Sequence, residues 1–542
     1  MAIIRVDLAA ASNGDGSFAT PRNVPPTSVA YGDFVLFKGG TSAVIGASGW
    51  TVPAPSGTGS ATNRLVIGSY DPLTGNRTMD ASKRATVSIT GNSDVFLLQN
   101  DYITVENLEI VGARTFPSAG VRATDASYIT VNQCRISKGP GTAAGGYGIR
   151  LDNTSTSAAA RSNWVVTNNV IESTGGNAAI HCVWGDAAGT ANRFVTGITV
   201  TDNVVYGNRF KVTSTTNDGI RLLPRATGAI NADRPGIMSK DVVVERNKVF
   251  GTHSYAYSIM GVGISALARN SFRFNSAINI GDGGTDMHCM WLACCDDWIV
   301  EGNYVNGSNA WIGQNVGTGV GIFIDKPFND ADGCNRILVR GNVVRNVGRG
   351  GTLNSEVGGA GIMVLLSSNI TVEANVADSC TNGIVVIGWY GSGNKSQNIL
   401  VRNNIAANSL EANYYTVKGA DLVTLSNNIS YGGKFGYGLQ TSGVLPVTNY
   451  AETNNLQFGA TVLASMTSNE PESGSFVQSS RAVAASTVTA DPLLFDDALP
   501  WAGLKAGSPC WGSGQYIQGA RDRYGRRYSN PPHIGPWAVA TR

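Results

Sequence analysis

The sequence has little charge, no long apolar run and no long amphipathic helical run. Charged residues make up 14% of 542 positions, and 40 Lys+Arg against 38 Asp+Glu leave a formal net charge of +2. So nearly equal a balance excludes a chain built to coat nucleic acid; any basic patch must be local. No stretch approaches the roughly 18 consecutive apolar residues of a spanning helix, so no membrane insertion is expected. The start, MAIIRVDLAAASNGDG, has no basic segment leading into an apolar core and does not read as a secretory signal. The eight cysteines (Cys134, Cys182, Cys289, Cys294, Cys295, Cys334, Cys380, Cys510) show no paired-motif spacing. They read as buried thiols rather than a disulfide framework, pointing to synthesis in a reducing cytosol or to an export signal removed from the chain.

What is abundant is glycine, 67 residues, together with asparagine. Both weaken helix interiors, so short strands joined by tight turns are expected. Phrases repeat along the chain: ITVENLEI, ITVNQCRI, VVTNNVIE, ITVTDNVV, VVVERNKV, SFRFNSAI, WIVEGNYV, ILVRGNVV, ITVEANVA, ILVRNNIA, VTLSNNIS and AETNNLQF. Their shared column runs Asn107, Gln133, Asn169, Asn203, Asn247, Asn275, Asn303, Asn342, Asn375, Asn404, Asn428 and Asn455. The mean step is about 32 residues, within the solenoid range. Asn tolerates the left-handed backbone of a sharp corner, and its amide can bond the Asn stacked above and below. The expectation is an all-β solenoid of about 12 or more rungs, each roughly 4.8 Å from the next.

This pattern resembles the right-handed parallel β-helix of the pectate-lyase-like superfamily, whose asparagine ladder the Asn column matches. The resemblance implies three segments: opening strands and cap over 1–100, a β-helix over 101–460, and a closing segment over 461–542. YGDFVLFKGG and RDRYGRRYSNPPHIGPW are similar to the two ends of such chains.

A second repeat opens each coil's last strand with Gly-Ile: GYGIRLDN, NDGIRLLPR and GVGIFIDKP, with AAIHCVWGD and TDMHCMWLA as variants. Side chains alternate across a strand, so the first and third positions point into the coil and the second points out. That outward column is expected to read Arg122, Arg150, His181, Arg221, Ser265, His288, Phe323, Met363 and Val385. It would be a basic strip carrying two of the chain's four histidines. Acids gather beside it: Asp218 before its Gly-Ile, Asp286 in the glycine position two rungs on, Asp282 in GDGGTD, and Asp152 and Asp325 at the fourth position, with Lys326 following. Trp389 and Tyr390 in GWYGSG are candidate sugar-stacking residues.

Two chemistries fit such a strip. In hydrolysis one of Asp218 and Asp286 protonates the glycosidic oxygen and the other activates water. The rung count puts them on the order of 10 Å apart, near the roughly 6.5–9.5 Å of an inverting pair, with Arg221 and His288 steering the sugar. In β-elimination an arginine neutralises a uronate carboxylate while His181, His288 or an arginine takes the adjacent proton. The catalytic candidates are therefore Asp218, Asp286, His288, Arg221 and His181. The binding candidates are Arg122, Arg150, Asp152, Asp282, Asp325, Lys326, Trp389 and Tyr390. No cofactor is required; GDGGTD could offer oxygens to calcium.

The resemblance implies a tailspike-type depolymerase acting on an acidic bacterial surface polysaccharide, with hydrolysis slightly favoured. Such a protein belongs to a virion tail, is made in host cytoplasm and contacts other tail proteins. The alternatives are a secreted bacterial lyase or hydrolase, and a non-enzymatic glycan-binding adhesin. A homotrimer is expected as well, because Val183, Leu223, Leu267, Met290, Leu365 and Ile387 form an outward apolar strip longer than a lone column normally exposes.

Overall fold

A computed structural model describes residues 1–112, 118–138, 146–154, 160–172, 178–185, 194–206, 218–224, 238–252, 254–263, 269–280, 288–307, 319–326, 333–348, 359–388, 395–443, 446–460, 465–470 and 477–481, with scattered positions after 490. The chain divides into two compact units, Met1–Leu267 and Ala268–Arg542. Both are built the same way. Each coil places one short strand in each of three parallel sheets, and successive coils stack in register, which makes the fold a right-handed parallel β-helix. The single helical turn among the described residues is Ala81–Lys83.

The coil interior follows from period-two alternation. In Met1–Leu267, Val105, Val131, Val166, Val200 and Val244 stack in one column of the first sheet. Ile110, Ile136, Ile171, Val205 and Val249 stack in the second. All ten are essentially inaccessible, each stabilising the fold by about 1.5–3 kcal/mol. Ala268–Arg542 repeats the scheme with Val300, Val339, Val372 and Val401. Parallel pairing already begins at Ile3–Val6, which pairs with Phe34–Lys38, so coil geometry extends through the opening hundred residues.

The asparagine ladder lies at the corner between the first and second sheets. Asn203 shows its bonding: its N–H and Nδ2 both donate to Asn247 Oδ1, at 3.1 and 2.9 Å, and Nδ2 also donates to Val166 O. The same pattern joins Asn169 to Asn203 in the first unit and Asn275 through Asn455 in the second. Two details differ from expectation. Asn107 and Gln133 stand one position before the ladder; Cys134 occupies the ladder column there, its N–H donating to Asn169 Oδ1. The left-handed backbone also belongs to the residue before each ladder Asn, such as Asn168, Asp202, Arg246 and Asn403. The ladder Asn is chosen for its amide, and the corner's backbone strain falls on its neighbour.

The Gly-Ile signal has a steric cause. A Cβ on Gly219 would lie 2.6 Å from both Ala256 O and Val249 Cγ1, and one on Gly321 would lie 2.4 Å from Val344 Cγ1 and 2.5 Å from Gly361 O. At these two rungs the third-sheet strand begins too close to the second-sheet core for a side chain. All eight cysteines are buried free thiols. Among the described residues, no helix is long and apolar enough to cross a membrane.

Candidate functional site

In Met1–Leu267 the outward third-sheet column is as read from the sequence through four rungs. Arg122 pairs with Arg150, Arg150 with His181, and His181 with Arg221. The fifth place is Ser258, not Ser265, because the strand there is Tyr257–Val262, YSIMGV, which carries no Gly-Ile phrase. The GVGIS phrase that suggests Ser265 begins at Gly261, at the end of that strand, and Ser265 itself is outside the described residues.

Carboxylates hold this row in place. Asp152, fully buried, accepts from Arg122 Nε at 3.0 Å and from Arg150 Nε at 2.7 Å. Asp94, missed in the sequence because it sits in a turn outside both repeats, lies 3.7 Å from Arg122 Nη1. Burial pushes its carboxyl above the ordinary value, against the Ala119 N–H and the two arginines. Arg221 Nε lies 3.6 Å from Asp218 Oδ2. Asp218 is buried, which pushes its carboxyl up to about 7, with Arg221 and the Tyr255 N–H pulling the other way. Of the expected substrate-binding groups, then, Asp152 is a clamp on two arginines.

His181 stands between Arg150 and Arg221. Neither ring nitrogen has a hydrogen-bond partner among the described residues, and both are enclosed. An unsatisfied buried polar group of this kind costs about 1–3 kcal/mol. The Tyr147 ring lies 5.0 Å from the imidazole and also carries the Arg150 guanidinium at 4.9 Å. Burial, then the charges of Arg221 and Arg150, hold the imidazole well below its ordinary value. It is a neutral base set between two cations.

In Ala268–Arg542 the register corrects the sequence reading by three residues. Trp291 pairs with Phe323, and His288 pairs with Val320, so His288 is outside the column. The strand His288–Cys295 is apolar at nearly every position and lacks Gly-Ile, so alternation alone could not fix its phase. The true column is Trp291, Phe323, Met363, Val385 and Tyr415. His288 instead packs against the Phe323 ring at 4.6 Å. Asp325 Oδ2 accepts from Trp291 Nε1 at 2.9 Å, while Oδ1 has no partner among the described residues. Burial pushes Asp325 up to about 7, opposed by the indole and the Lys326 backbone. Lys326 is also buried.

Asp282, Asp286, Trp389 and Tyr390 lie outside the described residues, and with them the GDGGTD loop and the second member of the Asp218–Asp286 pair. Among the described residues no group of three or more His, Cys, Asp or Glu side chains is arranged to hold a metal ion. The apolar strip is also revised. Val183, Leu223 and Ile387 are buried within the single chain and Leu365 is half-buried. Met290 pairs with Ile322 in the inward column, and Leu267 is outside the described residues. The strip therefore gives no motive for a trimer.

No protein-family model matches the chain, and no curated protein does. Among solved structures it is similar to a mannuronic-acid-specific polysaccharide family 6 lyase from human gut microbiota (12% identity, 80% of this chain and 87% of that one, TM-score 0.48). It is also similar to a GH136 lacto-N-biosidase from Eubacterium ramulus (11%, 87% and 68%, TM-score 0.37). A third is tailspike protein 3 of bacteriophage CBA120 (10%, 81% and 55%, TM-score 0.38). Likenesses at this level concern the fold, so the chemistry rests on this chain's own residues.

Proposed function

We propose that the third-sheet face of Met1–Leu267 binds an acidic polysaccharide and cleaves it by β-elimination. The observation that carries this is His181, a neutral imidazole with no hydrogen-bond partner among the described residues, set between the guanidiniums of Arg150 and Arg221. Arg150 and Arg221 would neutralise the uronate carboxylate, making the adjacent C–H more acidic. His181 takes that proton, the neighbouring glycosidic C–O bond breaks as the C=C bond forms, and the leaving oxygen takes a proton from Asp218. A carboxyl held at about 7 still carries that proton near neutral pH.

The second reading is hydrolysis, favoured by the same Asp218, whose raised value suits a general acid. Incubation with a panel of uronate-bearing polysaccharides separates the two. Elimination gives an unsaturated product absorbing at about 235 nm; hydrolysis gives reducing ends without it. The finer reading, a tailspike-type depolymerase of a bacterial surface glycan working as a homotrimer, rests on the sequence resemblance, and the buried free thiols suit assembly in a reducing cytosol. Sedimentation of the 56.7 kDa chain as a single copy would remove the trimer from it.

A further inference from the structure

The first-sheet face of Ala268–Arg542 carries a charge ladder unrelated to the Gly-Ile strands. Arg273, Glu301, Arg340, Glu373 and Arg402 face one another rung by rung, alternating in sign. Arg340 donates to Glu301 through Nε at 2.9 Å, and Glu373, almost wholly buried, accepts from Arg402 Nε at 2.9 Å. One corner over, Arg336 Nε donates to Asp297 at 2.7 Å. Alternation by itself is a stabilising device, since each charge meets opposite charges at strand spacing.

Two features go beyond that device. The arginines surround a cleft of about 320 Å³ instead of closing over it, and Arg269, Arg336, Arg340, Arg402, Thr371 and Glu373 line it. That volume lies at the small end of the roughly 300–1,000 Å³ of small-ligand sites. Arg269, moreover, enters no ion pair or hydrogen bond among the described residues, although every other arginine there is paired. A guanidinium has five N–H donors, and Arg402 spends two of its nitrogens, Nε and Nη2, on Glu373. Donors therefore remain for a planar anion held in the two-pronged manner that suits carboxylates. The Thr371 hydroxyl and the Leu338 side chain offer a sugar ring one polar and one apolar contact.

We propose that this cleft is a second subsite for a uronate unit of an acidic glycan, with Arg269 as the residue that recognises the carboxylate. The proposal rests on the acidic-glycan reading for its ligand, but not on His181 chemistry. Arg269 lies outside the ion ladder, so Arg269→Glu reverses the recognising charge without unpairing a buried carboxylate. Calorimetric titration of glucuronate-, galacturonate- and mannuronate-bearing oligosaccharides into the full chain tests it, with Arg221→Ala as the reference variant. The expected result is a binding event weakened at least tenfold by Arg269→Glu and kept in Arg221→Ala. That binding event is expected even if no cleavage is found, so the two readings fail separately. No Arg269-dependent event with any of the three oligosaccharides overturns the proposal. So does an Arg269-dependent event with inorganic phosphate alone.

Discussion

The third-sheet outward column is built twice on one backbone plan, with opposite contents. In Met1–Leu267 it reads Arg122, Arg150, His181, Arg221 and Ser258; in Ala268–Arg542 it reads Trp291, Phe323, Met363, Val385 and Tyr415. The inward neighbours are apolar in both, so the fold does not choose between the two columns. Burial does not choose either: His181 and Phe323 are equally enclosed. The difference is what each column needs to be stable. The apolar one packs into a single cluster with Val320, Ala360, Ile387, Ala412 and Phe435. The polar one requires Asp94, Asp152 and Asp218 beside its cations, and still leaves His181 without a hydrogen-bond partner among the described residues. A column that accepts this cost where an apolar one is available is the better candidate for chemistry.

Adding a charge to one column and removing a charge from the other should separate them most sharply. Val385→Asp puts an unpaired carboxylate into the apolar cluster and should destabilise the fold by several kcal/mol, on the order expected for a buried lone polar group or more. Arg221→Met should barely change stability, because Asp218, already pushed up to about 7, keeps its proton once the arginine is gone. It should instead weaken uronate binding at the third-sheet face roughly 100-fold, the order of one lost charge-assisted contact, and leave the Arg269-dependent event in place. Denaturant unfolding and calorimetry on both variants test the contrast; an unfolded Arg221→Met would make the polar row a structural clamp.

The ladder is common to both units and should not distinguish them. Asn203→Ala and Asn342→Ala each remove bonds to the neighbouring rungs and should cost about 1–3 kcal/mol. Unequal losses, with one variant as stable as wild type, would show that the ladder supports the two units differently.

The smallest expected effect is in pH dependence. Asp218 and Asp325, held at about 7 in the fold, release their protons near 3.9 when unfolded. Between those values the folded state binds more protons, so their contribution falls as pH rises from about 4 through about 7. His181 has the opposite slope. Its folded value is depressed, so stability is full above about 6.5 and is lost as pH falls below it. Asp218→Asn should flatten the first slope and His181→Gln the second, read as unfolding midpoints at about pH 5 and about pH 8. Unchanged slopes in both variants would mean these groups are not buried as described.

The fold is legible in the sequence because two independent periods agree: alternation within strands and Asn from coil to coil. The basic row is legible for a related reason. The Gly-Ile phrase marks real third-sheet strands at Gly148-Ile149 and Gly219-Ile220, and at Gly219 the absence of a side chain is sterically required. Legibility ends where that anchor is missing. MHCMWLACC is apolar on both faces, so the sequence pattern places His288 three residues out of phase and passes over Trp291. GVGIS carries the phrase, but the residue facing Arg221 is Ser258 in the strand Tyr257–Val262, which has no Gly-Ile before it. Asp94 cannot be found from a repeat, because its role depends on a turn meeting Arg122 of another coil.

The central claim is that His181, rather than Asp218, is the base on which cleavage depends. The direct measurement is the initial rate of product appearance at about 235 nm for the wild-type chain, His181→Gln and Asp218→Asn on the same uronate-bearing polysaccharide. The account predicts a loss of about 1,000-fold for His181→Gln with binding retained, and a loss of about tenfold for Asp218→Asn, since water can replace it in protonating the leaving oxygen. An active His181→Gln beside a dead Asp218→Asn, with products that do not absorb, would contradict it and make the enzyme a hydrolase.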